Sequence, residues 1–225
     1  MSTEGSSPPI DVSKLPHDNI QPNIIACAVV TWVIAAVFVG LRFYTRGIVI
    51  RVLGWTDWCI FLALVCSAGV TASSIEQVHA GIGLHAWDFD INKVIPLSKG
   101  GWYTLLWYSL SLCFTKISIL LLYLAIFSYH WVRIAGKVIL AAVLVSNAWI
   151  LGVVFTACIP LDAYWDYTLR DTAWCQPQPS WWANIGLHIA TDFLIFLLPM
   201  PVITTLRLPR RQKYILIGVF TLGFL

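Results

Sequence analysis

Charge is sorted by segment along this chain, and that sorting limits what it can fold into. Six apolar stretches, at about 22–41, 56–75, 101–127, 138–158, 183–205 and 214–225, divide the sequence. Three alternate gaps, 42–55, 128–137 and 206–213, hold Arg42, Arg46, Arg51, Arg133, Lys137, Arg207, Arg210, Arg211 and Lys213, with no Asp or Glu. The N-terminal residues and the gaps 76–100 and 159–182 hold nine acids against only Lys14, Lys93, Lys99 and Arg170. Lys and Arg of short loops collect on the cytoplasmic side of a membrane. The pattern predicts a multi-pass chain with its N-terminus extracellular or luminal.

Composition supports the same class. Hydrophobic residues make up 59% and charged residues 11% of the chain, where a soluble domain carries about 25% charged residues. The first five segments reach the ~20 residues needed to cross ~30 Å of hydrocarbon. As buried helices of a soluble protein they would lack a polar shell. The expected fold class is therefore all-α, a transmembrane helical bundle in the lipid bilayer of the plasma membrane or an endomembrane. The net charge of +3 is spread over separate loops, so nucleic acid is not an expected partner.

Residues 1–21 are polar and hold Pro8, Pro9 and Pro16. With no basic start followed by an apolar run they do not form a signal peptide. They are expected to be a flexible extracellular or luminal tail before a transmembrane domain over 22–225. At the other end, Tyr214 to Leu225 gives only about 18 Å of helix. The expectation is a bundle truncated within helix 6, or a half-span.

Cys158 and Cys175 both fall on the oxidising side, and a pair there predicts a disulfide that pins the loop between them. Cys27, Cys59, Cys66 and Cys113 lie inside spans and count as small apolar residues. The run Gly81-Ile82-Gly83-Leu84-His85-Ala86-Trp87-Asp88 predicts a compact outer loop, with His85, Trp87 and Asp88 as its folding cluster. Asp57, at the inner end of helix 2, is placed to cap that helix. Helix 3 is expected to follow Gly100-Gly101, and Pro199-Met200-Pro201 to kink the inner end of helix 5.

Lys116 is the one Lys or Arg deep inside a span. Intramembrane charge is costly and is paired or faces a cavity. Asp192 is its natural partner, since a lysine stem can bridge their difference in depth. Asn184, His188 and Asp192 recur at i, i+4 and i+8, one stripe of helix 5. These residues outline a candidate ligand pocket between helices 2, 3 and 5 beneath the disulfide-held loop. Lys116 and Asp192 would be its floor, with His188 and Asn184 as one wall. A structural ion pair and an inter-helix hydrogen-bond seam account for the same residues. No His/Cys spacing suggests a metal site, no catalytic residue is assigned, and no cofactor is expected. A lone lysine does not establish a Schiff-base chromophore.

The chain resembles the fungal rhodopsin-like domain family of integral membrane proteins. That family includes receptor-like surface sensors and membrane proteins of mycotoxin clusters such as satratoxin biosynthesis. The resemblance rests on Gly54-Trp55-Thr56-Asp57-Trp58, the Gly81–Asp88 run, Thr115-Lys116-Ile117-Ser118 through Leu124, Cys158-Ile159-Pro160 to Cys175, and Asp192 through Pro199-Met200-Pro201 to Leu208-Pro209-Arg210-Arg211-Gln212. It implies a seven-helix receptor-like topology with the N-terminus outside. Ala125 departs from the family pattern, which has arginine there.

The resemblance implies a receptor-like sensor of small apolar ligands, or a membrane component of a secondary-metabolite gene cluster. A G protein would be a partner of such a receptor. The expected stop within helix 6 argues against that partner, because its opening lies between the inner ends of helices 3, 5 and 6. The alternative is a membrane-bound terpene-cyclase-like enzyme with Asp192 or Glu76 as general acid. An acid beside the Lys116 cation is poorly placed to hold the proton it must donate. A transporter would show repeated halves or paired broken helices, and the sequence has no repeat.

Overall fold

The computed structural model describes residues 19–85, 87–126 and 129–201. Among them are five α-helices: α1 (Gln21–Tyr44), α2 (Trp55–Ala80), α3 (Val94–Ile126), α4 (His130–Phe155) and α5 (Gln178–Leu197). Four helical stretches are long and apolar enough to cross a membrane: Gln21–Val49, Trp55–Ala80, Ile91–Ile126 and His130–Phe155. The fifth, α5, has 20 residues. It breaks at a turn over Leu198 and Pro199, where the proline pair was expected to disturb it. The expected tail lies outside the described residues as far as Asp18, and so does the sixth segment.

Several helices start earlier than their apolar runs. Helix α3 begins at Val94, so Gly100 and Gly101 lie inside it instead of before it. Gly100 is there for close approach, since a Cβ would sit 2.7 Å from Gln77 Cγ on α2. At 33 residues, α3 is about 50 Å long and must tilt or protrude. Helix α4 begins at His130, which puts Arg133 and Lys137 on helix instead of in a loop. Helix α5 begins at Gln178 with Pro179 in its first turn, where the missing N–H costs nothing. Helix α2 runs on to Ala80 and stops at Gly81, whose φ of 125° excludes most side chains.

The helices are joined by small residues and hydroxyl groups, as membrane bundles are. Between α2 and α3, Ser111 Oγ donates to the Ala63 carbonyl at 3.0 Å. Ser118 Oγ donates to the Thr56 carbonyl at 2.9 Å, and Gln77 Nε2 donates to Thr104 Oγ1 at 2.6 Å. Trp102 Nε1 of α3 reaches the Val154 carbonyl of α4 at 2.9 Å. A buried cluster of Leu120, Tyr123, Val132, Val143, Ile195 and Leu198 joins α3, α4 and α5. Helix α1 has no buried residue. Its exposed Val30, Val33, Val37 and Phe38 suit lipid, not water.

Gly69 marks the closest part of the α2–α3 seam, where a Cβ would lie 2.6 Å from the Trp107 ring. The clash is with the body of an indole, so Gly69→Ala should destabilise the bundle by about 1–3 kcal/mol despite its better helix propensity. Thermal unfolding in detergent reads this directly; a variant at least as stable as the parent would refute it.

Beyond α4 the chain forms a small cross-linked cap. Strands β1 (Cys158–Ile159) and β2 (Trp174–Cys175) pair antiparallel, with Cys158 opposite Cys175. The predicted disulfide joins those two cysteines. The cap rests on the bundle through Lys99, whose Nζ sits 5.1 Å from the centre of the Trp165 ring. Within it, the Asp166 carboxylate accepts from Thr168 Oγ1 at 2.6 Å and Thr168 N at 3.0 Å. These bonds to Thr168 hold its pKa below the ordinary carboxylate value. The contribution is present above that ordinary value and is lost as pH falls through the depressed one. Exchange of the Thr168 amide, corrected for its intrinsic rate, should therefore accelerate only on acidification below the ordinary range. Asp166→Asn should remove that step, and a step that persists would assign it elsewhere.

The Gly81–Asp88 run folds on itself, as its glycines suggest. His85 and Trp87 stack with ring centres 4.6 Å apart and planes 5° from parallel, and the Asp88 amide donates to the His85 carbonyl at 3.0 Å. The loop also ties down the start of α1, because the Ile20 amide donates to the Gly83 carbonyl at 3.2 Å.

Candidate functional site

A buried lysine can persist in a bundle only where acceptors surround its ammonium. Lys116, in the middle of α3, is 5% exposed. Its Nζ donates to Thr191 Oγ1 at 2.8 Å and to the His188 carbonyl at 3.1 Å. It also lies 3.1 Å from Asp192 Oδ1. All three acceptors belong to α5, so one side chain straps that helix to α3. The partners are buried unequally. The Lys116 side chain is 6% exposed and that of Asp192 is 44% exposed, which leaves the carboxylate at the edge of the bundle.

Thr191 is the residue that spacing arguments passed over. At 100° per residue, i+7 returns to within about 20° of Asn184, whereas i+8 drifts about 80° away. The buried line of α5 accordingly runs Asn184, Thr191, Ile195, and Asp192 lies off it. Thr191 Oγ1 also donates back to the Leu187 and His188 carbonyls, both at 2.9 Å, which fixes its lone pairs toward Lys116.

Beside this strap is a small cavity of mixed character, lined by Cys113 and Lys116 of α3, Val143, Ser146, Asn147 and Ile150 of α4, and His188 and Thr191 of α5. It is bounded by helices 3, 4 and 5, and no described residue of α2 lines it. With its mouth it encloses about 190 Å³, but only about one water molecule fits inside. A preformed small-molecule pocket is usually 300–1,000 Å³, to order of magnitude. The Tyr108 ring of α3 lies 6.3 Å from that of His188, which lines the cavity. Asn184 is 6% exposed, and the Oδ1 atoms of Asn184 and Asn147 are buried without a partner.

Asp57 sits in a second charged cluster and does more than cap α2. Its carboxylate is fully buried and lies 3.0 Å from Arg42 Nε and 3.1 Å from Arg46 Nη1. The Gly54 amide donates to Oδ2 at 3.0 Å. Arg46 Nη1 also reaches Thr56 Oγ1 at 2.8 Å. The cluster clasps α1, the π-helical turn at Thr45–Val49 and the start of α2. Glu76, considered as an acid, is exposed on α2. No group of His, Cys, Asp and Glu among the described residues could hold a metal ion.

Comparison with known proteins places this architecture. The family model described as the fungal rhodopsin domain matches residues 41–225. The chain belongs to the fungal rhodopsin family. Its apolar helices and family together make it a membrane protein, and this fungal rhodopsin domain has curated relatives of two kinds. It is 26% identical over 196 residues to the polyenoic acids biosynthesis gene cluster protein Ba17b of Metarhizium anisopliae, covering 82% of this chain and 52% of the relative. It is 25% identical over 222 residues to the receptor GIN3 of Arthrobotrys oligospora, covering 93% of this chain and 51% of that one. The fugralins biosynthesis cluster protein 2 of Gibberella zeae is 26% identical over 211 residues, covering 90% and 51%. The chain thus spans about half the length of these relatives. No solved structure matches it.

Proposed function

We propose that this fungal rhodopsin domain is a receptor-like sensor of small apolar molecules, serving secondary metabolism. The carrying observation is the Lys116 strap: a buried ammonium bound by three acceptors of one helix, beside a small cavity. The relatives named for biosynthetic clusters and as a receptor support both halves of the reading. A cavity of one water does not admit a metabolite at rest. A ligand would therefore part α5 from α3 and α4, and that displacement is the signal the site is built to give. The arginine-rich gaps support an extracellular or luminal N-terminus, on the same side as the disulfide-held cap. The cyclase alternative lacks support in this geometry. Asp192 is paired with a cation and Glu76 is exposed, and neither is the buried acid that a protonation step needs.

The test is thermal unfolding of the purified protein against fatty acids, polyenes and terpenoids. The expected result is a saturable rise in Tm with at least one class, absent in Asp192→Asn. An equal rise in the variant would remove the Lys116 site from the proposal. An epitope inserted at Arg51, reached by antibody only after permeabilisation, would support the orientation; labelling of intact cells would reverse it.

A further inference from the structure

The charges of the Asp57 clasp do not balance. Arg42 and Arg46 both face that one carboxylate. Its oxygens are taken: Oδ1 meets Arg42 Nε and Arg46 Nη1, and Oδ2 meets the Gly54 amide and, at 3.3 Å, Arg46 Nη1. A guanidinium stays charged and only donates, so the clasp keeps one positive charge in excess. It also keeps donors in hand. Among the described residues, Nη1 and Nη2 of Arg42 and Nε and Nη2 of Arg46 meet no acceptor. Arg42 Nη2 is buried without a partner, and the other three nitrogens are not buried.

The sequence offers this cluster no second acid. The gaps 42–55, 128–137 and 206–213, which share its side of the charge pattern, hold cations alone, and residues 202–225 contain no Asp or Glu. The missing counter-charge therefore has to come from outside this sequence. Depth narrows its chemistry. The clasp joins the end of α1 to the start of α2, both long enough to span a bilayer. Trp55 and Trp58 open α2 beside it, and tryptophans gather at the level of the lipid headgroups. The anion at hand there is the phosphate of a phospholipid, whose oxygens fit the planar donor fork of arginine.

We infer that the Arg42–Arg46 edge of the clasp binds a phosphate group, that of a phospholipid headgroup, and that the bound phosphate completes the charge balance around Asp57. It accepts from nitrogens that Asp57 leaves unused, so neither arginine has to let go of the carboxylate. The inference stands apart from the sensor reading and holds whichever way the chain is inserted. Losing one charged hydrogen bond of this kind should weaken phosphate binding by about 10- to 100-fold.

The experiment uses the full chain in maltoside micelles freed of phospholipid. The probes are dioctanoyl phosphatidic acid, dioctanoylglycerol, which has the same tails and no phosphate, and inorganic phosphate. Phosphatidic acid should raise Tm saturably and dioctanoylglycerol should not. An equal rise with inorganic phosphate at the same concentration would support the site and assign it to the free ion. Arg42→Lys keeps the charge beside Asp57 but not the planar fork. In it the phosphatidic acid concentration for half the rise should increase by about tenfold or more. Arg46→Lys makes the same comparison if Arg42→Lys does not fold. Arg133→Gln removes a cation of α4 outside the clasp and should leave that concentration unchanged; an equal loss there would reduce the effect to general charge. Equal dependence in the parent and the lysine variants would overturn the assignment to the clasp. An equal rise with dioctanoylglycerol, or none with either phosphate probe, would overturn the phosphate site altogether.

Discussion

Asp57→Asn should be the most damaging single substitution in the described bundle, with a loss of about 3–5 kcal/mol. The carboxylate is fully buried and faces Arg42 Nε, Arg46 Nη1 and the Gly54 amide. Asparagine has the same shape but is neutral, and with its oxygen kept at the Oδ1 position that both arginines reach, its NH2 stands against the Gly54 N–H. Two guanidinium groups then lose their counter-charge in a site with little water. They are 27% and 30% exposed, so some of the penalty relaxes as they turn outward, which favours the lower end of the range. Arg42→Gln and Arg46→Gln should each cost less, about 1–2 kcal/mol, because the other arginine still balances Asp57. Unfolding in mixed micelles, followed by helical circular dichroism, separates the three variants. An Asp57→Asn protein within about 1 kcal/mol of the parent would show that the cluster is not structural.

The second large effect is a coupling. Asp192→Leu leaves Lys116 with its two hydrogen bonds but an uncompensated charge at 5% exposure. The expected loss is about 3 kcal/mol. Lys116→Met should cost less, about 1–2 kcal/mol. The methionine fills much the same volume, and the orphaned carboxylate is already 44% exposed. Combining the two replaces the pair by apolar side chains of similar size, which bundles often tolerate without loss. The double variant should lie within about 1 kcal/mol of the parent, and the cycle should return a coupling of at least about 2 kcal/mol. Additive losses would mean that Lys116 is held by Thr191 and the His188 carbonyl alone.

The membrane class, the segment order and the disulfide were legible in the sequence because each follows from scarcity. Charges are so few that their sorting is visible, and only two cysteines fall outside the spans. The Lys116–Asp192 contact was legible for the same reason, since a single buried cation has few acids to choose from. Helix starts were less legible. Gly100 and Gly136 fall in gaps between the apolar runs, yet each is a close-approach point on a helix, against Gln77 and Leu124 respectively, and only the neighbouring helix shows that. The same holds for the Asp57 clasp. Arg42 and Arg46 look like loop cations until the π-helical turn brings both back to one carboxylate.

What the sequence determined by itself was which residues need polar partners inside the bundle: Asp57, Lys116, Asn184, His188 and Asp192. What only the tertiary structure decided was which way each one faces. Helical periodicity gives angles around one axis, and it cannot say where the neighbouring helix stands. Thr191 completes the Lys116 site because α3 passes that side of α5. Asn147 enters it because α4 closes the cavity, and Asp192 ends half exposed because it has rotated past the contact.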